Sequence, residues 1–165
     1  ALSVPLAIAA GLGEAGRHGL LITKEYGSRV RLSKIFTDMP LVPDEPRPFG
    51  VWEFCKVCKK CAQHCPSRAI STDDEPSWEG PTISNNPGVL KWYIDPEKCF
   101  RFWCQNGWSC SNCQISCPYN KDYSHWYHRL ARDVAPRAKS LFLRLDDALG
   151  YGRQDSAEEW WGMDE

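Results

Sequence analysis

Residues 55–66 read CKVCKKCAQHCP and residues 110–118 read CSNCQISCP. The first run sets Cys55, Cys58, Cys61 and Cys65 at the spacing in which three thiolates wrap one 4Fe-4S cubane while the fourth, before proline, reaches a second cluster. The second run repeats only the last three positions of that pattern, as Cys110, Cys113 and Cys117, and must draw its first thiol from upstream. Cys99 and Cys104, in CFRFWCQNGWSC, are the candidates. Crossover then gives one cluster Cys55, Cys58, Cys61 and Cys117. The other takes Cys65, Cys110, Cys113 and one of the two upstream thiols.

Two bland readings compete. A cysteine-rich short chain can be a disulfide scaffold, but such scaffolds need no CxxCxxCxxxCP repeat, and nine cysteines cannot all pair. Thiolates at CxxC spacing also suit tetrahedral zinc. The prolines after Cys65 and Cys117 and the crossover-ready spacing favour two 4Fe-4S clusters instead. Whichever upstream cysteine is left over reads as a small buried hydrophobe.

At 165 residues the chain is one domain or a large part of one, and its net charge of −1 gives no electrostatic reason to expect a nucleic-acid partner. No stretch approaches the length of a membrane-spanning helix, and ALSVPLAIAAGLGEAG lacks the charged start of a signal peptide. Opening in an apolar helix without an initiator Met, the sequence reads as the C-terminal portion of something longer.

Residues 3–10 are apolar and helix-compatible, ended by Gly11 and Gly13. Leu20–Thr23 and Val30–Phe36 are rich in β-formers and predict a hairpin across Lys24–Ser28. Pro40, Pro43, Pro46 and Pro48 mark an extended connector. Between the cysteine runs, turn formers fill 66–88 and Val89–Ile94 reads as a strand. After Cys117, helices are predicted over Tyr123–Val134 and Ala138–Leu149, separated by Pro136 and stopped by Gly150. The tail carries Trp160 and Trp161.

Eight tryptophans are many for this length, and packing explains most of them, although Trp103 and Trp108 lie between cluster ligands. Gly11, Gly13 and Gly16 match GxGxxG, but the motif signals a dinucleotide only when it leaves a strand and opens a helix. Here a helix precedes and a hairpin follows, so that reading is set aside. His18, His64, His125 and His128 form no ligand constellation, and His125 and His128 are placed together on a solvated helix face.

The stretch AGLGEAGRHGLLITKEYGSRVRLSKIFTDMPL, the first cysteine run, DPEKC, NGWSCSNCQISCPYNK, DDALGYG and the final WW together resemble the C-terminal part of corrinoid-dependent reductive dehalogenases. Epoxyqueuosine reductase shares the AGLG opening and both cluster motifs. The resemblance implies an α+β chain: residues 1–48 end a nitroreductase-like cobalamin-binding α/β domain, and 49–122 form a ferredoxin-like domain holding two 4Fe-4S clusters with an insertion at about 67–98. Residues 123–165 would add C-terminal helices and an aromatic tail. It also implies Cys99 rather than Cys104 as the eighth ligand, and clusters that relay electrons to a cobalamin which removes halogen from an organohalide.

The acid of that reaction would be a tyrosine upstream of these residues. Arg17 is the carried-over catalytic cation, with Arg29 and Arg31 as alternatives, while Gly11, Gly13, Gly16 and Trp103 are placed at the corrinoid. Further implied are an electron-donor protein or membrane quinol chain, a small membrane anchor protein, and a peripheral location on the outer face of the cytoplasmic membrane. The alternatives are an epoxyqueuosine reductase acting on tRNA, which the acidic tail disfavours, and a free-standing dicluster ferredoxin, which would leave the first fifty residues unexplained.

Overall fold

The apolar opening does form a helix, α1 (Ser3–Ala9), in the computed structural model, which describes residues 2–153. It is followed by a two-stranded antiparallel ribbon of β1 (Glu14–Ala15) and β2 (Leu21–Ile22). The expected hairpin is thus corrected: Leu21–Ile22 pairs backwards with the glycine motif, not forwards with residues 30–36. The turn that permits this runs from Gly16 to Leu20, where Gly16 N–H donates to Leu20 and Gly19 N–H to Gly16. A second tight turn, bridging Thr23 and Gly27, then sends the chain away, and Ile35 and Phe36 stand exposed.

Gly27 is where this turn meets the second cysteine run. Its φ is +61°, and a Cβ there would lie 2.1 Å from the carbonyl oxygen of Tyr119. Gly27→Ala is therefore expected to destabilise the protein by roughly 1–3 kcal/mol, since neither backbone can yield cheaply. A urea midpoint unchanged from the parent would refute this.

The proline connector runs exposed and irregular up to α2 (Val51–Cys58). This helix has no side-chain cap of its own at Gly50, and Glu14 serves from a distance. Its carboxylate accepts the N–H groups of Phe49, Gly50 and Val51 at 2.5, 2.9 and 3.2 Å, placing a negative charge at the helix N-terminus. The glutamate of the glycine motif thereby ties the ribbon to the first ligand helix.

Lys59, with φ +51°, breaks the helix so that α3 (Lys60–Gln63) starts in a new direction. The insertion then folds back on itself through single bridges, Ile70 to Ile94 and Ser77 to Lys91, so the strand expected over 89–94 is reduced to two isolated pairings. The sequence DPEKC opens α4 (Pro96–Asn106), with Asp95 accepting the Lys98 N–H and proline in the first turn, a start signal the sequence reading passed over. Next come α5 (Asn112–Ile115), α6 (Trp126–Val134) and α7 (Lys139–Ala148), the last two close to their predicted spans. Trp160 and Trp161 lie outside the described residues.

The core forms around the cysteines. Ile22, Val51, Phe54, Trp92, Tyr119 and Ala135 enclose Cys55 and Cys117, while Cys61, Ala62 and Ile70 make a second, smaller cluster against Cys65 and Cys113. Phe54 meets Tyr119 and Phe142 edge-on at 5.3 and 5.7 Å, clamping α7 over α2.

Candidate iron-sulfur centre

Two short helices carry the crossover. Helix α3 holds Cys61 and leads to Cys65, α5 holds Cys113 and leads to Cys117, and the two helices pack on each other. Each cysteine-proline end thereby emerges on its neighbour's side. Cys117 lines one small pocket with Cys55, Cys58 and Cys61. Cys65, Cys99, Cys110 and Cys113 form the second group, with Cys113 feeling the charge of the other three.

Among the described residues no three His, Cys, Asp or Glu side chains converge as a single metal ion would need. The thiols surround a space rather than a point, which is the arrangement a multi-atom cluster fills. All nine cysteines are free thiols. The residues present therefore fit two 4Fe-4S clusters better than two zinc ions or a disulfide framework.

Helix geometry sets the two upstream thiols apart. Cys99 sits in the first turn of α4, partly buried and electrostatically coupled to Cys65 and Cys110, whereas Cys104 is exposed. Five residues separate them, about 140° around a helix, so both cannot face one site. Cys99→Ser is expected to lower iron content by about half, one cluster of two, while Cys104→Ser leaves it unchanged. The reverse pattern would exchange the assignment.

Burial governs the chemistry of these thiols. It pushes Cys55 up to about 11 and Cys58 up to about 12. Burial again, with Cys110, Cys65 and Cys99 adding to it, takes Cys113 to about 11. Cys61 and Cys117 are also raised well above the ordinary thiol value, first by burial and then by the neighbouring thiolates. Metal binding must displace these protons, so a buried set of this kind holds its cluster only with cations and donors close by.

Arg17 supplies one such cation. It is 1% exposed, its Nε and Nη2 donate to the Cys55 carbonyl at 3.1 and 2.9 Å, and Nη1 donates to the carbonyls of Ser71 and Asp73. Its guanidinium carbon lies 4.4 Å from the Trp92 ring centroid. Arg29 instead binds Asn120, beside the second cysteine run, from an exposed position, and Arg31 is exposed.

The glycines of GxGxxG have partners within the chain. A Cβ on Gly13 would fall 2.1 Å from the Ile22 carbonyl oxygen, and those on Gly11 and Gly16 would meet Glu45 and the side chains of Ile22 and His18. They are small because their own backbone neighbours are close. Trp103 is partly exposed on α4, and Trp108 more so.

The histidine reading needs correction at one position. His128 is not solvated: it is buried, with Nδ1 at 2.6 Å from the Asp122 carbonyl and Nε2 at 2.8 Å from the Tyr151 hydroxyl. His125 stays exposed beside Asp122. Residues that the sequence reading missed also flank the first thiol set. His18 and Tyr119 line its cavity, and Lys60, Lys121 and Asp146 form a buried charge network behind it. Only Lys60, between two ligands, and Tyr119, after Cys117-Pro118, stood where the motif could have flagged them.

Crossed cysteine runs on two short helices, each set beside the other's thiols, are the arrangement of a double-cluster binding module. Residues 54–120 accordingly match the 4Fe-4S double cluster binding domain family. Over nearly its whole length the chain is similar to reductive dehalogenases. It is 45% identical over 163 residues to a tetrachloroethene reductive dehalogenase of Desulfitobacterium hafniense, covering 96% of this chain and 29% of the relative. To the tetrachloroethene reductive dehalogenase of Sulfurospirillum multivorans it is 46% identical, with 96% and 32% covered. The epoxyqueuosine reductase of Listeria monocytogenes is more distant, at 30% identity with 96% and 41% covered. The solved catabolic reductive dehalogenase NpRdhA superposes with a TM-score of 0.76 at 30% identity, over 90% of this chain and 21% of that one. The chain thus spans about a third or less of the dehalogenases it matches.

Proposed function

We propose that this chain is the electron-delivery portion of a reductive dehalogenase, with Cys55, Cys58, Cys61 and Cys117 holding one 4Fe-4S cluster and Cys65, Cys99, Cys110 and Cys113 the other. The observation that carries the reading is the crossed pairing of α3 and α5, which brings both thiol sets within electrostatic reach: Cys61 and Cys117 each feel Cys113. Such closeness suits transfer between two centres.

When bound, the clusters would supply one-electron steps at low potential, and a cobalamin would supply carbon–halogen bond cleavage. The chain's own residues hold the thiols in a water-poor core and balance their negative charge. Arg17 is read as a positioning residue in this role: its N–H groups are committed to the backbone carbonyls of Cys55, Ser71 and Asp73, which argues against contact with a departing halide. Trp103, exposed on α4, remains the corrinoid-facing candidate.

An organohalide substrate is the reading the dehalogenase relatives support. The tetrachloroethene reductive dehalogenases are 44–46% identical, against 30% for epoxyqueuosine reductase, which favours this over tRNA modification. The electron donor is read as a reduced protein or a membrane quinol chain. Attachment through a small anchor protein at the outer membrane face belongs to the same family reading. Residues 1–48, 49–122 and 123–165 are proposed as the end of the corrinoid domain, the cluster domain and a C-terminal helical cover.

The full-length protein purified without oxygen should carry about eight iron and eight sulfide per chain together with an extractable corrinoid. Stoichiometric zinc without sulfide would overturn the cluster reading. Clusters without corrinoid would turn the assignment to a dicluster electron carrier.

A further inference from the structure

We propose that His18 Nε2–H and Tyr119 Oη–H are hydrogen-bond donors to sulfur atoms of the cluster held by Cys55, Cys58, Cys61 and Cys117. The inference rests on the ligand sets proposed above and adds the two side chains that tune one of them.

Both residues are 2% exposed and line the same cavity as the four thiols. Neither His18 Nε2 nor Tyr119 Oη has a hydrogen-bond partner in the protein. The histidine's proton can be located without spectroscopy. Leu20 N–H donates to Nδ1 at 3.2 Å, so that nitrogen is the acceptor and the neutral ring carries its hydrogen on Nε2.

An unpaired buried donor costs about 1–3 kcal/mol, and native proteins rarely tolerate two at one place. The rest of the lining offers little relief, because Ile22, Phe54 and Pro118 present carbon. Cluster sulfides and coordinated thiolates are anionic acceptors, and would satisfy both donors at once.

Each donor is also held in place for the task. The His18 ring packs against Gly16, where a Cβ would lie 2.8 Å from Cε1, and the Gly16–Leu20 turn fixes its backbone. Tyr119 is held edge-on between Phe49 and Phe54 at 5.9 and 5.3 Å. Hydrogen bonds to cluster sulfur stabilise the reduced, more negative state, so they raise that cluster's potential relative to a site lacking them.

The test uses the full-length, cluster-loaded protein with ¹⁵N in its imidazole rings. Pulsed EPR of the reduced state should show a ¹⁵N coupling to one cluster that His18→Phe abolishes. In a redox titration, His18→Phe and Tyr119→Phe should each move one midpoint to more negative potential and leave the other in place. His18→Gln, which restores an N–H donor, should move it less. Cluster-loaded wild type without the coupling overturns the proposal, as do two phenylalanine variants with both midpoints unmoved. Should His18→Phe fail to keep its clusters, the wild-type coupling and the Tyr119→Phe midpoint decide. A wild-type protein that assembles no clusters overturns the ligand reading and this inference together.

Discussion

Cys117→Ser is expected to abolish the cluster of the first cysteine run while sparing that of the second, although Cys117 belongs in sequence to the second. Its sulfur is buried with Cys55 in the main core and lines the cavity shared with Cys58 and Cys61. Removing it leaves three thiols that repel one another when ionised and that burial already resists ionising. A serine hydroxyl is a poor substitute for a soft ligand, and it would be an unpaired polar group among aromatic rings. Iron should fall from about eight to about four per chain.

The more telling readout is the spectrum that survives. Cys117→Ser should leave the same reduced EPR signal as Cys58→Ser, and Cys65→Ser the same signal as Cys113→Ser. Uncrossed ligation predicts the opposite pairing, Cys117 with Cys113 and Cys65 with Cys58. That outcome would refute the role given to α3 and α5.

The double-cluster motif behind the proposed thiol sets was legible in the sequence because cluster ligation is a local constraint: CxxC spacing and a following proline encode the turn that aims each sulfur. The helices after Cys117 were legible for a similar reason, being bounded by Pro136 and by Gly150, whose φ is +74°. The ribbon was not. β1 has only Glu14 and Ala15 to announce it, neither a strong β-former, and it exists because Gly13 lets the backbone approach Ile22 and because Glu14 is fixed at the start of α2. Residues 30–36 carry the stronger β-pattern yet stay irregular, since the turn closed at Gly27 directs them away from any partner strand. Arg17 was singled out through the family resemblance as a catalytic cation, and the structure commits its guanidinium to backbone carbonyls instead. What sequence spacing could not convey is that its partners, Cys55, Ser71 and Asp73, lie 38 to 56 residues away.

Separation in sequence also hides a buried charge network, since Lys60 and Asp146 lie 86 residues apart, and removing its centre should cost much stability. Asp146 of α7, 3% exposed, accepts from Lys60 at 2.6 Å and also binds Lys121 at 2.5 Å. Both lysine side chains are 6% exposed. Burial pulls Lys60 downward, but its bonds to Asp146 and Asp147 outweigh this and raise it; for Lys121 burial prevails over the bond to Asp146, and it is lowered. Lys121 is thus the weaker-held cation, stacked 3.3 Å from the Tyr151 ring centroid.

Asp146→Ala strips both lysines of a shared counter-charge, and a buried charge left alone costs about 3–5 kcal/mol. Lys60 keeps Asp147 and the Tyr151 carbonyl, which places the expected loss at the lower end of that range. Since Lys60 lies between Cys58 and Cys61, the damage should appear as faster cluster release in urea, before the helices unfold. Adding Lys121→Met to Asp146→Ala should recover part of the loss, because the cation that suffers most is then gone. If Asp146→Ala changes the urea midpoint of cluster release by no more than a typical surface substitution, about 0.5 kcal/mol, the network is not what holds α7 to the cluster domain.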